Sequence, residues 1–163
     1  MKKMKTHKFR YKKTYRFFEH SDVWIKTNIQ CDFFENDWIK VENGIITVKG
    51  TTQNGYAWDG CTPKIDLLDL CLGTPDGKTN PITEKPIAYY ASLVHDAIYQ
   101  FKEEIPIGRK DTDMLFKLIL KDEGFFWSNV YYFFVRLFGP LFGKWITNTE
   151  TTNLNFTNCS WKN

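Results

Sequence analysis

The feature that most constrains the fold is a change of hydrophobic period part-way along the chain. From about Lys8 to Trp58 apolar and polar residues alternate, in TYRFF, VWIKTNI, WIKV and IITVKG, the two-residue period of strands with one buried face. Glu42-Asn43-Gly44 separates the last two runs, and Asn-Gly supplies the positive φ angles of a tight hairpin. After Pro86 the step lengthens: Ile87, Ala91, Val94, Ile98 and Phe101 make one stripe of a helix opened by a proline. A second helix is predicted from about Arg109 to Glu123, with Leu115, Leu118 and Ile119 inward and Gly124 as its stop. A third helical run, FFWSNVYYFFVRLFG, ends at Gly139-Pro140. The expected fold class is α+β, a small N-terminal antiparallel sheet followed by a bundle of about three helices.

With 163 residues the chain can build one good core but not two. That core is assigned to a single domain over 8–147, overlapping a basic arm at 1–16 and followed by a polar tail at 148–163 with no evident packing pattern. Residues 59–85, rich in turn formers, read as an irregular connection. The 14 Phe, 8 Tyr and 6 Trp supply enough apolar surface to exclude a disordered chain.

The net charge of +3 hides an asymmetry, since residues 1–16 carry eight Lys or Arg and no acid, which leaves the rest acidic. Such an arm can touch nucleic acid or an anionic membrane, but a plain solubilising terminus is favoured. No apolar stretch of signal-peptide kind follows the basic start, and polar residues interrupt the 125–146 segment well short of a membrane span. Cys31, Cys61, Cys71 and Cys159 form no CxxC pair, so neither a zinc knuckle nor a redox motif is indicated. The expected compartment is the cytoplasm, with free thiols.

Chemistry concentrates in LVHDAIY, residues 93–99. On a helix His95 and Tyr99 lie one turn apart, and Asp96 projects about 100° further round. An imidazole titrates near neutrality and can take and return a proton, while an adjacent carboxylate can bind a hard cation or orient a water. If the next helix runs antiparallel, Asp113 approaches His95 and fixes its tautomer. His95, Asp113 and Tyr99 are therefore the candidate catalytic residues. Asp59 and Asp96 are the candidate ligands of a divalent cation, and Arg109 and Cys61 the candidate substrate contacts. The competing reading of the same residues is a buried hydrogen-bond network joining two helices, with Arg109 paired to Asp96 or Asp113.

YAWDGCTP, AYYASLVHDAIY, GRKDTDMLF and VRLFG, in that order over about residues 50 to 139, resemble the signature of a family of small phage and prophage proteins without an assigned activity. Asp59, Gly60, Pro63, His95, Asp96, Tyr99, Arg109, Asp113 and Arg136 match it, whereas Cys61 stands where the family pattern has Ala. The resemblance implies a phage origin, hence host cytoplasm or the virion. His95, Asp96, Tyr99 and Asp113 are also similar in pattern to the His-Asp-x-Cys-Tyr helix and opposing Asp of secreted phospholipases A2. That family's disulfides and calcium loop are absent, and Ile98 replaces its cysteine, so the likeness is one of local geometry.

Two functions lead at this level, with recruitment of the domain to lipid through the 125–146 segment and the basic arm as a third possibility. One is a phage-encoded hydrolase acting on an ester or phosphoester, with His95 as general base and a divalent cation as aid. The other is a non-catalytic accessory protein that binds a host defence factor, a signalling nucleotide, another small molecule or a virion component.

Overall fold

The structure is a computed structural model and describes residues 17–52, 55–58, 60, 78–139 and 144–162. The basic arm, most of the 59–85 connection, and with them Asp59 and Cys61, lie outside the described residues. The elements in chain order are β1 (Phe17–Glu19), β2 (Val23–Thr27), β3 (Phe34–Glu35), β4 (Ile39–Glu42), β5 (Ile45–Val48), β6 (Tyr56–Trp58), α1 (Tyr89–Gln100), α2 (Arg109–Asp122), α3 (Ser128–Phe138) and β7 (Phe156–Cys159). The expected α+β order, an antiparallel sheet region and then three helices, is the observed one.

Alternation builds the sheet. Val23, Ile25, Ile39, Val41, Ile46 and Val48 point inward with almost no exposure, and the residues between them are half-buried or exposed. The pairing keeps them on one face, since Ile25 and Val41 both oppose Ile46, while Val23 and Ile39 both oppose Val48. Each such side chain contributes about 1.5–3 kcal/mol of burial. Asn43 and Gly44 have φ of 51° and 76°, the two positive values of the predicted turn. Five antiparallel strands result, in the order β3-β4-β5-β2-β7.

A separate ribbon of β1 and β6 carries an aromatic joint to the helices. Phe17 faces Trp58 across the ribbon, and both rings pack on Tyr89 at the start of α1. Trp58 donates its indole N–H to Ser92 (3.0 Å) and Tyr56 its hydroxyl to Gln100 (2.8 Å), so β6 is bonded along the length of α1. The helix begins at Tyr89, three residues after Pro86, because Pro86 is held in a bridge with Thr79.

Ile87, Ala91, Val94 and Ile98 of the predicted stripe are buried and Phe101, just past the helix, is half-buried; Leu93, His95 and Ala97 are buried as well, so the helix is covered on nearly all sides. Ile105 and Ile107, both fully buried, anchor the turn that brings α2 back onto α1. α3 packs on α2 through Tyr131 and Val135 and leaves Phe133 and Leu137 more than half exposed, with Phe126 and Trp127 exposed just before it. Its apolar composition is thus only partly used for the core. Among the described residues no helix is long and apolar enough to cross a membrane.

The stretch 148–163, read from sequence as a tail without a packing pattern, is integrated into the domain. Thr149 and Thr151 dock on α2 through Gly108 and Asp111, and Phe156–Cys159 pairs with β2 as an outer strand. Its side chains are mostly polar because an outer strand is held chiefly by backbone hydrogen bonds, which leave no signature in the sequence.

Candidate functional site

A fully buried carboxylate, Asp113, lies at the centre of the site, in the first turns of α2 and facing α1. Its Oδ1 is 3.1 Å from His95 Nε2 and accepts the Tyr99 hydroxyl at 2.7 Å. Its Oδ2 accepts Arg109 Nε at 3.3 Å and Arg136 Nη1 at 3.1 Å. Four groups from three helices therefore converge on one side chain. The i, i+4 spacing of His95 and Tyr99 puts both above Oδ1, while Arg109 reaches Oδ2 from one turn before Asp113. Arg136 arrives from α3, and Arg109 Nη2 donates to the Arg136 carbonyl oxygen at 2.5 Å, which ties the two arginines together.

Close approach at the end of α3 needs a glycine. A Cβ on Gly139 would lie 2.9 Å from the Tyr99 hydroxyl and 3.0 Å from Arg109 Nε, inside the donor set of Asp113. The glycine of the VRLFG motif is thus explained by the cluster it abuts.

Charge balance fixes the protonation states. Burial would raise the Asp113 carboxyl, but His95, Tyr99 and Arg136 outweigh it and hold Asp113 below the ordinary carboxylate range. Burial would lower the His95 imidazole, yet Asp113 and Asp96 outweigh that too and hold it above the ordinary histidine value. Tyr99 is driven far up by burial and the adjacent Asp113, so its phenol stays protonated and acts as a donor. In this arrangement its hydroxyl helps to position Asp113.

The second ring nitrogen of His95 has different surroundings. Nδ1 lies 3.6 Å from Asp96 Oδ1, beyond direct hydrogen-bond length, on a side chain that is 21% exposed. The imidazole thus has one nitrogen on a sealed anion and the other on a partly hydrated acidic side. His95 itself is only 6% exposed and is packed between the rings of Tyr99 (4.3 Å) and Phe116 (4.9 Å).

Of the residues assigned from sequence, His95, Tyr99, Asp113 and Arg109 come together, with Asp96 alongside. Arg109 binds Asp113 and also borders a surface cleft. Asp59 and Cys61 lie outside the described residues, although Trp58, which precedes them, is bonded to α1 one turn before Asp96. Among the described residues no group of three or more His, Cys, Asp or Glu side chains is arranged to hold a metal ion. Asp96 alone does not make a cation site.

Arg136 was legible only as part of the VRLFG signature, and its role as a ligand of Asp113 was not foreseen. Comparison of the chain with protein-family models, with curated proteins and with solved structures finds no match.

Proposed function

We propose that the protein is a hydrolase of ester or phosphoester bonds in which His95 is the general base. The observation that carries this reading is the unequal treatment of the imidazole: Nε2 on the buried Asp113, Nδ1 on the side that solvent reaches at Asp96. With its proton on Nε2, the ring presents a lone pair at Nδ1. A water there gives its proton to Nδ1 as its oxygen bonds to the acyl carbon or phosphorus. The proton then passes to the departing alkoxide oxygen, and neutral His95 is restored. Asp113 stabilises the intervening imidazolium, and Tyr99, Arg109 and Arg136 keep Asp113 in place. A phage origin, with action in the host cytoplasm, belongs to the same proposal and rests on the ordered motifs.

Because His95 is enclosed by two aromatic rings, truncation to alanine would confuse lost chemistry with lost packing. His95→Gln keeps the volume and a donor toward Asp113 while removing the base. Its expected result is a fall of about a hundredfold or more in turnover of para-nitrophenyl esters or phosphates, with the melting temperature within a few degrees of the parent. Turnover unchanged in His95→Gln, or absent in the parent against both substrate classes, refutes the reading.

A second reading, a non-catalytic accessory protein that binds a partner, draws on the uncovered row Phe126, Phe133 and Leu137. Replacing Phe133 and Leu137 by Ser would then abolish partner capture and leave any ester turnover untouched.

A further inference from the structure

We propose that the cleft between the start of α2, the end of α3 and segment 144–150 binds a small anion bearing a phosphate or phosphonate group. This inference is independent of the hydrolase reading, because His95 does not line the cleft.

The cleft encloses about 390 Å³ and is bordered by Arg109, Lys110, Arg136, Lys144, Trp145 and Glu150, among others. That volume falls in the lower part of the ordinary range for small-molecule sites, roughly 300–1,000 Å³. Its charge is lopsided. Glu150 is the only acid on its wall among the described residues and is paired with Lys110 at 2.7 Å. Asp113, behind the wall, balances one of the two guanidiniums but not both. Lys144 is exposed and has no acidic partner among the described residues.

The two arginines are also held ready. Arg109 is fixed through Nε and Nη2 and Arg136 through Nη1, which among the described residues leaves Arg109 Nη1 and Arg136 Nη2 for another acceptor. Trp145 also lines the cleft, and its indole N–H is buried without an acceptor among the described residues. The Trp145 ring is itself braced edge-on against Tyr99 at 4.9 Å.

Donors on two arginines and a lysine suit an anion with several oxygens and about two negative charges. A phosphate monoester or phosphonate supplies three terminal oxygens and that charge. A carboxylate offers two oxygens and one charge, and so leaves more of the cleft's positive charge unbalanced.

Isothermal titration of the full chain with phenylphosphonate, at mildly alkaline pH and low salt, tests the assignment; benzoate serves as the matched carboxylate. The probe cannot be hydrolysed, so the outcome does not depend on catalysis. Phenylphosphonate is expected to bind at least about tenfold more tightly than benzoate. Lys144→Ala should weaken it by about five- to tenfold at unchanged melting temperature, since Lys144 is exposed and makes no ion pair among the described residues. The basic residues of 1–16 could also attract the anion, but Lys144→Ala leaves them intact, so a loss in that variant places the ligand in the cleft. No heat of binding up to about 5 mM phenylphosphonate, equal affinity for benzoate, or full affinity in Lys144→Ala would overturn the proposal.

Discussion

Replacing Asp113 by Asn changes the shape of the site very little and its electrostatics completely. Asp113 accepts from His95, Tyr99, Arg109 and Arg136, and has no exposed surface. An amide keeps one acceptor oxygen but turns an NH2 group toward two donors, and it leaves two tethered guanidiniums without the anion between them. Removing one partner of a buried ion pair costs about 3–5 kcal/mol. The Arg136 side chain is 35% exposed and can regain water, which sets the expectation at the lower end, about 3 kcal/mol. That is a large part of the roughly 5–15 kcal/mol that stabilises an ordinary domain. It corresponds to a fall of roughly 6–12 °C in melting temperature for a chain of this size. Urea unfolding followed by tryptophan fluorescence measures it, provided the denaturant slope is unchanged. Tyr99→Phe, which deletes one of the four donors, should lose about half as much or less. A loss below about 1 kcal/mol in Asp113→Asn would refute the view that this carboxylate holds the three helices together.

The stability and the proposed activity should respond oppositely to alkaline pH. His95, raised above its ordinary 6.5, stabilises the fold fully below that value and progressively less as pH rises through its folded pKa. Asp113, lowered below 3.8, stabilises the fold above that value and less as pH falls through its folded pKa, so the contribution of the pair is greatest between the two. General-base turnover, which needs neutral His95, should instead climb above pH 6.5; a rate profile that peaks with the stability profile would exclude His95 as the base. In Gly139→Ala the new methyl meets Tyr99 and Arg109, and a loss of about 1–3 kcal/mol is expected by the same urea assay, whereas Gly124→Ala meets no neighbour and is penalised only by its positive φ of 78°. Equal losses in the two would show that close approach at Gly139 does not matter.

How far this could be read from sequence follows from the range of the interactions. The alternation of β2, β4 and β5, the Asn43-Gly44 turn and most of the stripe on α1 are local patterns, and each is found where predicted. His95, Tyr99 and Asp113 were legible because two lie one helical turn apart and the third opens the next helix. Arg136 was not, since its contact with Asp113 spans 23 residues and depends on how α3 crosses α2. The start of α1 was misplaced by the bridge between Thr79 and Pro86, a tertiary contact that takes Pro86 out of the helix. The strand at 156–159 was missed because FTNC has no alternation to detect.

That strand also bears on aggregation. β2 would be an outer strand without it, presenting the alternating apolar sequence VWIKT along an open backbone edge of the kind that recruits other chains. Its neighbour on that side lies more than a hundred residues later in the chain, so the protection of this edge depends on a long-range contact. The closing strand therefore shields β2 from pairing with other chains, and a variant that loses it is expected to aggregate through that edge.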